Sequence, residues 1–140
     1  MTTNQQVFLD ANALIYALDE TNEKYDSVVK LIQQLLDNGV TLCTSHHVIE
    51  EVLHIARKIN KTSAIEVIKE IDKIPDLVLI EPDATLAFAE RYAALSDKYN
   101  LGINDSLLLK LMIDVGITRL LSYDKQFVVK ANRLGVEQIT

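Results

Sequence analysis

The sequence is poor in the residues that many small catalytic signatures need. It has one cysteine and four glycines in 140 residues. The lone thiol, Cys43, permits neither an internal disulfide nor a cysteine-based zinc site. Its apolar, strand-like surroundings suit a buried small hydrophobe. The glycines form no phosphate-cradling loop, no G-x-S-x-G occurs, and nothing pairs the cysteine with a histidine. No apolar run approaches the ~20 residues that cross a bilayer. Met1 to Gln6 is polar and lacks the basic-then-apolar pattern of a signal peptide. These absences point to a cytoplasmic protein with no membrane partner. Bases are scarce as well: 14 Lys and Arg against 20 Asp and Glu give a formal charge of −6. A nucleic-acid binder usually carries a basic footprint, so that function requires the acids to gather where a cation sits.

What is present reads as one domain over residues 1–140, with 49% hydrophobic and 24% charged residues. Val7 to Leu9 is a short apolar strand ending on Asp10, and a helical pattern follows at once. Glu23 to Leu36 is an amphipathic helix stopped by Asn38-Gly39. Val40 to Thr44 is the second strand, and Ser45 is an N-cap for a helix over His46 to Ile59. Asn60-Lys61-Thr62 breaks the pattern, and Ser63-x-x-Glu66 resembles a capping box. Leu77 to Ile80 is the third strand, and Pro82-Asp83 introduces a helix from Ala84 to Tyr99. Asn104-Asp105 opens a helix, Ser106 to Val115, apolar almost all round and so expected to be buried. Arg119 to Ser122 is the fourth strand. Asp124 caps a short helix through Asn132, and Val136 to Ile139 is a candidate fifth strand. This alternation predicts an α/β fold with a mostly parallel sheet.

Ligands bind outside the carboxyl ends of the strands in open α/β sheets. Asp10 ends the first strand, Glu51 lies in the helix after the second, Asp105 in the first turn of the apolar helix, and Asp124 just past the fourth strand. Each has an ordinary explanation. Asp105 complements a helix dipole, Asp124 is a good cap, Glu51 can be solvated, and Asp10 can begin a turn. Taken together they suggest more, because clustered carboxylates repel one another and call for a cation. All-oxygen donors favour Mg²⁺ or Mn²⁺ over zinc. Such a site suits phosphoryl transfer or phosphodiester hydrolysis.

The residues that carry a resemblance are Phe8-Leu9-Asp10-Ala11-Asn12, Thr44-Ser45 followed by Glu51, Asn104-Asp105-Ser106-Leu107-Leu108, and Leu121-Ser122-Tyr123-Asp124-Lys125-Gln126-Phe127. In this order and approximate spacing they resemble the PIN-domain ribonucleases, and more closely the VapC-type toxins of toxin–antitoxin pairs. The resemblance covers nearly the whole chain. It implies a PIN-like three-layer fold with a central sheet of four or five strands and helices on both faces. It also implies a Mg²⁺- or Mn²⁺-dependent endoribonuclease that leaves a 5′-phosphate, with Asp10, Glu51, Asp105 and Asp124 as catalytic and metal-holding acids. Asn12, Ser45 and Ser122 match the supporting polar positions. A cognate antitoxin and a homodimer are implied partners. Glu50 adjoins Glu51; the spacing from Ser45 selects Glu51, and the two side chains point about 100° apart on a helix.

Two bound divalent ions would bring the formal charge from −6 to −2, with RNA drawn to the ions and to rim bases such as Lys125. His46, His47, Glu50, Glu51 and His54 share helix faces, but H-E-x-x-H is absent; solvated histidines are the expectation, with His47 placed to orient Glu51. Tyr16, Tyr92 and Tyr99 could stack bases, although aromatics at helical spacing more often belong to the core. Asn12 stands where aspartyl phosphatases need a second Asp. The rivals are a non-catalytic PIN-like module that binds RNA or protein, and a metal-dependent phosphatase or DNA nuclease on a related site.

Overall fold

Strand residues alternate between the two faces of a sheet. In the three central strands consecutive residues are buried: Val7, Phe8 and Leu9; Leu42, Cys43 and Thr44; Leu120 and Leu121. A sheet buried on both faces is the signature of parallel strands joined by helical crossovers. The computed structural model describes residues 5–60 and 63–139. Its strands are β1 (Gln6–Leu9), β2 (Thr41–Thr44), β3 (Val78–Leu79), β4 (Arg119–Leu121) and β5 (Glu137–Gln138). Its helices are α1 (Ala11–Leu18), α2 (Tyr25–Asp37), α3 (His46–Asn60), α4 (Ala64–Asp72), α5 (Leu86–Tyr99), α6 (Ile103–Val115) and α7 (Lys125–Arg133).

The sheet order is β3-β2-β1-β4-β5, and every pairing is parallel. The expectation of a mostly parallel sheet therefore becomes an all-parallel one. β1 lies at the centre, with Phe8 opposite Cys43 on one side and Leu120 on the other. The chain steps outward from β1 through β2 to β3, then returns to β1's other side for β4. The reversal between β1 and β4 is a topological switch point, the place where such sheets open a crevice. The core gathers the central strands with Leu14, Val28, Ile32, Val48, Val52, Leu108, Leu109, Met112 and Phe127.

Several boundaries move for identifiable reasons. The helix expected from Ala84 starts at Leu86 because the Thr85 hydroxyl accepts from Phe88 N–H and serves as its cap. Ser63 is the residue before α4 but makes no side-chain cap bond, so the capping box does not form. Lys61 and Thr62 of the expected break lie outside the described residues, as does the stretch 1–4. The helix bearing Asp105 begins at Ile103, not Ser106, after Gly102. It is not buried all round: Ile103, Ile113 and Val115 are exposed, and only the face carrying Ser106, Leu108, Leu109, Leu111 and Met112 is covered.

Candidate functional site

Asp10 sits where β1 becomes α1. Its backbone N–H donates to Leu121 O at 3.1 Å, which continues the β1–β4 ladder one step past the strands. Its side chain is nearly buried, at 8% exposure. Oδ1 accepts from Ala11 N–H at 2.8 Å, capping α1, and Oδ2 accepts from Ser122 Oγ at 2.8 Å. The Ser122 hydroxyl also accepts from Asp124 N–H at 3.2 Å. Asn12 closes the other side of the turn: its Oδ1 accepts from Tyr123 N–H at 3.0 Å. Asp10, Asn12, Ser122 and the backbone of Asp124 thus form one hydrogen-bonded floor across residues more than 100 apart in sequence. Below it, Thr44 Oγ1 donates to Leu9 O at 2.9 Å and ties β2 to the end of β1.

Asp124 caps α7, with Oδ1 accepting from Gln126 and Phe127 N–H at 3.1 and 3.2 Å. Glu51 and Asp105 come from α3 and α6. Among the described residues neither carboxylate has a hydrogen-bond partner; the helices are linked instead by His47 Nε2 and Asn104 Oδ1 at 3.1 Å. The expected role of His47 is therefore only partly realised. It favours the Glu51 charge electrostatically, but its hydrogen bond goes to Asn104. Glu50 is exposed and is not among the groups acting on Asp10, Glu51 or Asp105.

The acids act on one another. Burial lifts the Asp10 carboxyl above its ordinary range, against the pull of the Ser122 and Ala11 hydrogen bonds, and the Asp124 charge adds to the rise. Glu51 is raised by lost hydration and then by Asp10, Asp105 and Asp124. Asp105 is raised by burial, then by Asp124 and Asp10. Carboxylates carried by three helices and the end of a strand act on one another's charge. The fold thus brings the four acids within electrostatic reach of one another.

The remaining sequence candidates fall differently. Ser45 is buried, and its Oγ accepts from Val48 N–H at 3.2 Å, capping the helix that bears Glu51. Lys125 is exposed at the start of α7, and its charge is not among those acting on the acids. The lysine that does act is Lys130, which favours the Asp105 charge. No sequence motif pointed to it. Asn104 was visible only as the neighbour of Asp105. His46 forms a surface pair with Glu81 at 3.2 Å. Tyr16 packs on Tyr123 and Tyr92 on Phe88, both with centroids 5.4 Å apart.

Among the described residues no group of three or more His, Cys, Asp or Glu side chains is arranged to hold an ion as it stands. The donor chemistry nevertheless fits a hard divalent cation. The converging groups are all carboxylates, and two of them have no hydrogen-bond partner among the described residues. A cation would offset both the lost hydration and the mutual repulsion that raise Asp10, Glu51 and Asp105.

The chain matches the PIN domain over residues 7–132. It is 29% identical over 127 residues to Ribonuclease VapC1 of Aquifex aeolicus (strain VF5), covering 89% of this chain and 85% of that one. In fold it is similar to Mycobacterium tuberculosis VapC20, a toxin described as cleaving the sarcin-ricin loop. The TM-score is 0.65 at 14% identity, over 88% of this chain and 93% of that one. It is also similar to VapBC2 from Rickettsia felis, solved bound to a DNA fragment from its promoter. There the TM-score is 0.62 at 20% identity, over 96% and 97% of the two chains.

Proposed function

The chain belongs to the PIN-domain family, and on that premise we propose that it is a Mg²⁺- or Mn²⁺-dependent endoribonuclease, the toxin of a VapBC-type pair. The observation that carries this reading is the electrostatic convergence of Asp10, Glu51, Asp105 and Asp124 beyond the carboxyl ends of β1 and β4. Relatives named as a ribonuclease and as toxins support the reaction class. We take residues 1–140 to act as one catalytic domain in the cytoplasm, with a cognate antitoxin and a second copy of the chain as partners.

Asp10, Glu51, Asp105 and Asp124 would hold the ion or ions. Bound there, a divalent cation supplies charge neutralisation at the phosphate and a more acidic water. The chain's own residues do the positioning. Ser122 and the Ala11 N–H fix both oxygens of Asp10, so this carboxylate enters the reaction in one orientation. Asn12 holds the backbone between Ser122 and Asp124. Glu51 and Asp105, free of hydrogen-bond partners among the described residues, are the groups able to accept a proton from an attacking water. The acid-rich crevice repels an RNA backbone until a cation is present, so substrate binding and ion binding are coupled. Binding that depends on few phosphate contacts predicts a shallow salt dependence; a steep slope would contradict it.

The test is incubation of the protein with structured RNA and with DNA, in Mn²⁺ and in EDTA, beside the Asp10→Asn variant. RNA cutting that needs the ion and Asp10 is the expected result. No cutting of any substrate, together with no Mn²⁺ binding by calorimetry, would remove the enzyme assignment.

A further inference from the structure

The acids are carried by separate elements, and part of what spaces those elements lies outside the acids. Three successive carbonyls of the α5–α6 loop accept side-chain hydrogen bonds. Asn100 O accepts from Lys130 Nζ at 2.7 Å, Leu101 O from Ser96 Oγ at 2.6 Å, and Gly102 O from Ser106 Oγ at 2.9 Å. The serine bonds are local to α5 and α6. Lys130 comes from α7, 30 residues away in sequence.

This helix begins at Asp124, whose carboxylate caps it. At 1.5 Å per residue, Lys130 stands roughly 9 Å along the axis from that cap. One rigid element therefore holds Asp124 at its end and grips the loop that launches α6 and Asp105. The gripped residue is the left-handed C-cap of α5: Asn100 has φ 52, one of two non-glycine residues with positive φ among those described. Such a conformation persists where surrounding contacts hold it. Lys130 is half-buried, whereas Lys125 on the same helix is exposed.

We propose that Lys130 is a positioning residue, whose bond to the Asn100 carbonyl sets the separation of Asp124 and Asp105 across the crevice. The inference rests on the nuclease reading, since it treats both acids as working groups. Lys130 touches neither reacting atoms nor, in this structure, either carboxylate. Its charge also favours the Asp105 carboxylate through space; the positioning effect passes through the loop, and exchange over residues 100–106 reads that effect separately from the charge.

The experiment compares Lys130→Met, Lys130→Gln, Lys130→Arg and, as a control at an exposed base on the same helix, Arg133→Met. One readout is RNA cleavage at saturating Mn²⁺ and the other is amide hydrogen exchange over residues 100–106. In Lys130→Met, kcat falls roughly 10- to 100-fold, as for a small misplacement of reacting groups, with KM little changed. Exchange over 100–106 accelerates about tenfold or more while β1 stays protected. Lys130→Arg, which keeps donor and charge, restores most of both, and Arg133→Met leaves kcat and exchange as they were. Wild-type kcat in Lys130→Met, unchanged exchange over 100–106, or no rescue by Lys130→Arg overturns the proposal. Loss of folding in both Lys130→Met and Lys130→Gln overturns it too, in favour of a purely structural role. A wild-type chain that cuts no RNA counts against the nuclease reading, and exchange over 100–106 then decides the tie alone.

Discussion

The two halves of the crevice are built on different principles. On the β1–β4 side, Asp10 is buried, both its oxygens are bonded, and the residues around it are linked backbone to side chain. On the α3–α6 side, Glu51 and Asp105 project from helices without hydrogen-bond partners among the described residues, and the side-chain bond that links those helices is His47 to Asn104. The first half is finished by folding. The second is left electrostatically incomplete, its repulsion relieved among the described residues by Lys130 and His47. A single site can thus hold one carboxylate fixed and keep two others available for charge brought from outside.

The contrast predicts effects of different size and kind. The largest comes from Asp10→Asn, which keeps the shape of the fixed half but removes its charge. RNA cleavage should fall roughly 10²- to 10⁴-fold, the range for a group at the reacting centre, while thermal unfolding stays near wild type. A collapse of the fold would mean that Asp10 is structural first. Next, Glu51→Gln and Asp105→Asn should each weaken Mn²⁺ binding in calorimetry by about 30-fold. One charge at ~4 Å from a divalent ion is worth about 2 kcal/mol even in water. Both variants should also be more stable than wild type without the ion. A third test removes a bond from the fixed half: Ser122→Ala leaves a buried carboxylate oxygen without its donor. It should cost about 1–3 kcal/mol in denaturant unfolding and roughly 10-fold in cleavage. If Ser122→Ala costs nothing in stability, the two halves are less different than drawn here.

The smallest effect is a slope with pH. Asp10, Glu51 and Asp105 sit above their ordinary values in the folded chain. Between the unfolded value near 4 and the raised folded value, the native state binds more protons than the unfolded state. Stability of the metal-free protein from this source therefore falls as pH rises through that window. Thermal melts should show the ion-free protein gaining stability on mild acidification, and saturating Mn²⁺ flattening the slope.

The parts of this design that were legible in the sequence are the local ones. Val7 to Leu9 announced a buried strand because its residues are apolar without alternation. Asp124 and Ser45 announced caps because short polar side chains before a helical pattern have that use, and both cap helices here. The apolar helix misled for the same reason: its composition was read without knowing that only the face carrying Leu108, Leu109, Leu111 and Met112 is covered, so Ile113 and Val115 stay exposed. What no local pattern carries is distance. The Ser122–Asp10 bond spans 112 positions and the Lys130–Asn100 bond spans 30. Lys130 looks, in sequence, like any other lysine on an amphipathic helix. The motifs indicated which acids to watch, and only the all-parallel sheet with its switch at β1 and β4 accounts for their meeting.

The lone cysteine gains an experimental use from its place in that sheet. Cys43 is fully buried in β2, opposite Phe8 of β1, one residue before the threonine that anchors the end of β1. Its thiol cannot meet an alkylating reagent until the sheet beneath Asp10 opens, and burial further suppresses its thiolate. The unmodified chain therefore carries its own clock: the rate at which Cys43 is labelled measures how often the site's foundation comes apart. With one thiol in the sequence, the signal is unambiguous, and ligands that brace the crevice should slow it.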